Sequence, residues 1–366
     1  MRKIVRRFMG IVLAIALCAA VSACGTQPQT AVSDTPEESA LVLGVSGEES
    51  GWLKDAVEAN NADNSRRKIE MVKFEHVEQL LRAVDDGTQV DMYFISMSQS
   101  YIEDTVRELW ERSVDLLPRL ECELAPNLAE ALTRSGELRY LPYDFTIDAM
   151  QGYFDEMPEN MAEAQTLADA SGESLFYRGW GRSDLFGHWL YPYLCAADEA
   201  AREDILGAIS AQDENTREGS MYRPVTFTSD VDFGCLDTLE YRLEAGEGGY
   251  VIGVPGSDTA GVYMPMRAFG IMSGCTDVDA AWAFLSQSYS AEAQARAEFF
   301  PAELTALNAR IDELAEKGTT HEHAVAVFRD VLERTTAAAG VNMLQTEQLW
   351  YTDTFNKYAA KAAQGG

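Results

Sequence analysis

Leu41-Val-Leu-Gly-Val-Ser-Gly-Glu-Glu-Ser-Gly-Trp-Leu53 decides the fold. Leu41–Val45 is a short apolar run of strand length, and Ser46–Ser50 is a small, polar turn. Ser50-Gly51 then opens a helix in which Trp52, Leu53, Ala56 and Val57 fall on one face. Asn60-Asn-Ala-Asp-Asn-Ser65 stops that helix, because Asn and Asp side chains bond their own backbone in turns. The pattern then repeats. Ile69–Phe74 is a second strand, Val77–Val84 a helix with Leu80, Leu81 and Val84 inward, Asp85-Asp-Gly87 its stop, and Val90–Ile95 a third strand. Strand and helix alternating at this spacing predict a parallel sheet with right-handed crossovers, hence an α/β fold.

Working outward, Leu138–Asp144 and Met150–Phe154 read as two extended segments around a break. Met161–Ala170 and Asp198–Ala211 have helical periodicity. Tyr250–Pro255 reads as a strand, Gly256–Gly261 as a turn, and a strand follows around Arg267–Met272. Val278–Gln287 is an amphipathic helix with Ala281, Trp282 and Leu285 inward, and helices over 302–317, 323–338 and 346–363 close the chain.

At the other end, Arg2, Lys3, Arg6 and Arg7 precede the apolar run Phe8–Val21, which is too short for a comfortable membrane span. Val21-Ser-Ala-Cys24 follows and resembles a bacterial lipobox, so residues 1–23 are expected to be a signal peptide. Cys24 is the expected site of lipidation, palmitate included, and the expected location is the extracytoplasmic face of the cell membrane. Residues 24–40 are polar and free of aromatics, which suits a flexible tether. The 366 residues carry a net charge of −30, and such acidity opposes binding to nucleic acid or to an anionic lipid surface. Cys122, Cys195, Cys235 and Cys275 are widely spaced; they suit disulfides in an oxidising compartment or small buried side chains, and spacing does not choose.

Taken in order, these pieces resemble the bacterial extracellular solute-binding lipoproteins of ABC importers, of the sugar-binding, family 1-like type. Ala83-Val-Asp-Asp-Gly-Thr-Gln-Val-Asp-Met-Tyr-Phe94 is similar to that family's helix end, glycine and "Pro-Asp-hydrophobic" strand, with Val90 in place of the proline. Leu138–Asp144 resembles the segment crossing from the first lobe to the second, and Tyr250–Pro255 with Arg267–Met272 the return. Asp279-Ala-Ala-Trp-Ala-Phe-Leu285 and Ser290-Ala-Glu-Ala-Gln294 resemble the family's "Ala-Trp-x-Phe-Leu" and "Ser-x-Glu-x-Gln". The stretch between Phe227 and Tyr250 is shorter than in many relatives, which could remove ligand contacts.

The resemblance implies a two-lobed periplasmic-binding-protein-like fold with a hinge and an interlobe cleft. One lobe is expected over 41–142 plus 262–300, and the other over 143–261 plus 301–366. It further implies a monomer that captures a small solute, most simply a saccharide, for the permease subunits of an ABC transporter, with no cofactor and no catalysis. A sensor lipoprotein of the same fold is an alternative, and a surface-anchored glycoside hydrolase a more distant one.

Sugars ask for flat aromatic faces and planar hydrogen-bonding groups. Glu48 and Trp52 follow the first strand, although the acid also suits a helix N-terminus and Trp52 also fits the buried helical face. Ser96 and Ser98 follow the third strand and serve equally as helix caps. Tyr143 and Asp144 sit at the proposed crossing, and Tyr263 near the return. In Phe176-Tyr-Arg-Gly-Trp-Gly-Arg-Ser-Asp-Leu-Phe-Gly-His-Trp-Leu-Tyr191, Trp180 and Arg182 are the cleft candidates, since an arginine can grip an anionic group with two bonds; Trp189 reads as core. Enzyme signatures are weak. His321 and His323 have the wrong spacing for a metal pair on one helical face, and neither a nucleophile elbow nor a phosphate loop is present.

Overall fold

The computed structural model of the chain describes residues 39–47, 51–97, 104–176, 185, 190, 193–194, 199–211, 219–228, 251–316 and 322–339. The opening segment folds as its periodicity demands. Strand β1 (Leu41–Ser46) leads through helix α1 (Gly51–Ala62) to β2 (Ile69–Phe74), and α2 (Val77–Asp85) leads to β3 (Met92–Ser96). Both β2 and β3 pair with β1 in parallel. Trp52, Leu53, Ala56 and Val57 of α1 are buried, and α2 buries Val77, Leu80 and Leu81. The asparagine cluster stops α1 through its side chains. The Asn61 amide grips both backbone groups of Ile69 at 2.7–2.8 Å, and Asn60 Nδ2 donates to Arg67 O at 2.8 Å.

The hydrophobic strand preceded by aspartate also has a physical cause. Asp91 is fully buried and accepts from the N–H of Val42 at 2.8 Å and from that of Thr276 at 2.9 Å. One carboxylate thereby ties the start of β1 to the far end of the returning chain.

That return is a long strand, and a second long strand lies beside it. After helices α3 (Asp104–Glu111) and α4 (Leu128–Leu132) comes β4 (Leu141–Gly152). Helix α5 (Met161–Ser171), β5 (Ser174–Phe176), α6 (Glu199–Ala211), β6 (Ser220–Phe227), β7 (Val251–Ile252) and β8 (Gly261–Ile271) follow. The strand order is β2-β1-β3-β8-β4-β6-β5. Strand β8 runs antiparallel to both β3 and β4, so the parallel part of the sheet is continued by an antiparallel part. Helix α7 (Val278–Leu285), the short α8 (Ala291–Gln294), strand β9 (Phe300–Pro301), helices α9 (Leu304–Glu316) and α10 (Glu322–Arg334) and strand β10 (Ala337–Ala338) complete the described order.

Several expectations are corrected. No break divides 144 from 150, because β4 is flanked on both sides and nearly every residue in it is buried. Strand β8 starts at Gly261, ahead of the expected 267, and β6 has no counterpart in the sequence reading; both contain a proline. Pro265 sits beside a bulge, where a missing N–H is tolerated. The expected strand over 250–255 shrinks to Val251–Ile252, since Gly253 takes φ +121°. Phe284, rather than Trp282, fills the core with Ala281 and Leu285, and Trp282 is half-buried. Helix α10 stops at Arg334, and Ala337–Ala338 pair with β8 as a strand instead. The expected helix over 346–363 lies outside the described residues.

Residues 40–366 cluster as one unit. Inside it the buried apolar side chains form two groups that share the sheet. The larger spans β1, β3, alternate residues of β4 from Leu141 to Ala149, Tyr263, Ala268, Phe269 and Ile271 of β8, and helices α7, α9 and α10. The smaller gathers Met150, Phe154, α5, β5, α6, Met221, Tyr222 and Val262. Strands β4 and β8 contribute to both.

Candidate functional site

In open α/β sheets, ligands collect beyond the carboxyl ends of parallel strands. Here those ends are Ser46 and Ser96. Ser46 pairs with Ile95, Ser96 with Arg267, Arg267 with Asp144, and Asp144 with Pro301. Ser96, Arg267, Asp144 and Pro301 therefore form one row across β3, β8, β4 and β9, and Ser46 ends β1 beside Ile95, one residue short of that row. Gly47 makes the row possible. Its φ is +89°, and a Cβ there would lie 2.6 Å from Ser96 Cβ, so a larger residue would push the two strand ends apart.

At the centre of the row Arg267 meets Asp144. Arg267 Nε lies 3.0–3.1 Å from both Asp144 oxygens, and Nη2 donates to Asp144 Oδ2 as well. The Asp144 side chain is wholly buried and that of Arg267 is 10% exposed. Two compensating bulges bracket the pair, Tyr143 being the extra residue in β4 and Met266 the extra residue in β8. The Arg267 guanidinium stacks 5.3 Å from the Tyr143 ring, and its Nη1 stands 3.7 Å from the more exposed Glu298 carboxylate. Burial pushes the Asp144 carboxyl up from its ordinary range, against the downward pull of Arg267 and of the Phe299 N–H. Arg267 is raised despite its own burial, because Asp144 holds its proton.

Behind the row is an aromatic block. Trp52 stacks on Tyr143 at 5.8 Å and meets the edge of Phe269 at 6.1 Å, while Phe94 packs on Phe269 at 4.7 Å. The backbone around Tyr143 is held from outside the sheet. Its carbonyl accepts from Ala302 N and Gln294 Nε2, and its hydroxyl donates to Ala293 O.

Each candidate residue from the sequence has a definite place. Ser96 is half-buried on the row, and Asp144 lies at its centre. Trp52 and Tyr143 form the floor behind it, both buried. Tyr263 is buried further along β8, where its hydroxyl donates to Pro126 O at 2.5 Å. Glu48, Ser98, Trp180, Arg182 and Cys24 lie outside the described residues. The sequence reading missed Arg267 and Glu298. Arg267 did carry a signal: it is a lone cation within the otherwise uncharged Gly261–Ile271, where burial would demand a partner.

Cys122 and Cys275 are free thiols, and Cys195 and Cys235 lie outside the described residues. Burial, with Asp91 and Asp277 nearby, pushes Cys275 up to about 11. Alkylation by iodoacetamide requires the thiolate, so Cys275 is expected to react slowly at pH 7.5 and faster by about tenfold per pH unit up to 11. Peptide mass mapping over that range checks it; fast labelling at neutral pH would contradict it.

A separate groove of about 410 Å³ lies between Met157, β7 and α10, rimmed by the Asp330–Arg334 ion pair. It contains no residue of the row, and its lining lacks the row's convergent polar groups.

No protein-family model and no curated protein matches the sequence. Solved structures do match the fold. The sugar-binding protein MalE from Xanthomonas citri has a TM-score of 0.54 at 13% identity, covering 90% of this chain and 93% of its own. The cyclic alpha-maltosyl-1,6-maltose binding protein from Arthrobacter globiformis has a TM-score of 0.53 at 13% identity, covering 88% and 95%. A sugar transporter from Rhizobium etli in an open conformation gives 0.52 at 16% identity, covering 89% and 96%. At these identities the likeness concerns the fold: the chain has the mixed α/β, periplasmic-binding-protein-like architecture of these sugar-binding proteins.

Proposed function

We propose that this chain is a saccharide-binding solute receptor. The observation that carries the reading is the extent of the fold match, which takes in about nine-tenths of this chain and of each sugar-binding neighbour. The row Ser96–Arg267–Asp144 supports it, because it sets a hydroxyl and charged groups at the strand ends where such a fold offers a cleft. In this reading the lobes are 41–142 plus 262–300 and 143–261 plus 301–366, hinged on β4 and β8. Closure around the solute gives a docking partner two shapes to distinguish. The partner is the permease of an ABC importer, and lipid on Cys24 holds the monomer at the extracytoplasmic membrane face. Glu48, Ser96, Ser98, Trp180 and Arg182 are the proposed ligand contacts, with Trp52, Tyr143, Asp144 and Tyr263 supporting them.

Calorimetry of the full chain in detergent against a panel of mono- and oligosaccharides tests the binding. Expected is saturable binding of at least one saccharide, with a smaller radius of gyration in scattering of the bound form. Absence of binding across the panel would overturn the saccharide reading. Binding without compaction would overturn the hinge. Cys24→Ser should abolish acylation by mass spectrometry and release the protein from membranes.

A further inference from the structure

Strand β4 turns one face to the larger apolar group, through Tyr143, Phe145, Ile147 and Ala149. Side chains alternate across a strand, so the residues between these face the other way. That second face enters the smaller apolar group at its far end, at Met150. Before that point it is polar. Asp144, Thr146 and Asp148 follow one another along β4, Thr226 of β6 pairs with Asp148, and Met264 of β8 pairs with Thr146. A sheet face that stays polar between two apolar groups borders solvent rather than core. Asp144 is taken up by Arg267, and Thr146 is buried, its hydroxyl donating to Met266 Sδ at 3.8 Å. Asp148, Met264 and Met266 are half-buried and Thr226 is exposed. The Thr226 hydroxyl donates to Asp148 Oδ1 at 2.7 Å. Solvent therefore meets a hydroxyl–carboxylate pair beside two thioether side chains.

Resting on the saccharide reading above, we propose that the solute lies along this face, its hydroxyls bonded by Asp148 and Thr226 and its C–H surface packed on Met264 and Met266. Each carboxylate oxygen has two lone pairs, so Asp148 accepts from a sugar hydroxyl while keeping its bond to Thr226. The two methionines supply the apolar surface that Trp52 and Tyr143, both buried, do not present. Their unbranched, polarisable side chains adapt to a sugar ring without dictating its orientation.

The test is oxidative footprinting of the full chain in detergent with dilute hydrogen peroxide. It is run with and without the tightest binder of the saccharide panel, which includes the α-1,4- and β-1,4-linked glucose tetramers. Peroxide turns accessible thioethers into sulfoxides, and Met264 and Met266 are expected to oxidise at least about threefold more slowly in the bound form. Met157, 39% exposed in the separate groove, should oxidise at an unchanged rate. Thr226→Val, at an exposed position, should weaken binding about five- to tenfold by calorimetry, the worth of a hydrogen bond involving a charged group. Its melting temperature should stay unchanged. Arg223→Gln, on the opposite face of β6, should bind as the parent does. Equal oxidation of Met264 and Met266 with and without a saccharide that binds overturns the placement and leaves the saccharide reading intact. So does a Thr226→Val variant that binds as tightly as the parent, or an equal loss in Arg223→Gln. If no saccharide of the panel binds, the reading itself fails and the placement falls with it.

Discussion

Arg267→Met is expected to lower the unfolding free energy by about 3–5 kcal/mol, the usual cost of stripping one partner from a buried ion pair. The variant leaves Asp144 wholly buried, with the Phe299 N–H at 3.4 Å as its remaining described donor. Urea denaturation at pH 7 measures the loss. Adding Asp144→Leu should recover most of it, because a well-packed apolar pair often matches a buried ionic one. The pH dependence is a second check. Burial already raises the Asp144 carboxyl, and removing Arg267 removes the main opposing pull. A raised carboxyl means that the folded state binds more protons than the unfolded one between the two pKa values. The variant is therefore most stable below the ordinary carboxylate range, near 4, and loses stability as pH rises through the raised value. A loss below about 1 kcal/mol that does not change with pH would show that the pair is not what joins β4 to β8.

This pair also shows where sequence reading stops. The β1–α1–β2–α2–β3 segment is legible because each burial pattern is local: alternate or continuous apolar runs for strands, and Trp52, Leu53, Ala56 and Val57 at helical spacing. Asp144 stands out in the sequence for lying beside a predicted crossing, yet its meaning depends on Arg267, 123 residues away. Strands β6 and β8 are hidden or cut short by Pro224 and Pro265, residues that deny strand structure unless a bulge or a neighbour's register excuses them. Whether Asp91 ends up as surface or as a buried tie between Val42 and Thr276 cannot be read from its neighbours in sequence. Local period gives the elements, and long-range partnership gives the site.

Trp52 puts these two kinds of information in conflict, and its substitution is the other change expected to have a large effect. As a ligand platform it would need an open face. In the structure it is 6% exposed, with one face stacked on Tyr143 and Phe269 at its side. Trp52→Ala should therefore cost about 3–5 kcal/mol of stability, as truncation of a buried aromatic does, and Trp52→Phe should restore most of it by refilling the space against Tyr143. Thermal and urea unfolding of the two variants separate volume from chemistry. If Trp52 instead touches the solute, Trp52→Ala will leave stability within about 1 kcal/mol and abolish saccharide binding. The floor reading predicts the opposite division: Trp52→Phe binds almost as the parent does, because what the site requires of residue 52 is a ring that holds Tyr143, and through it the Arg267 guanidinium, in place.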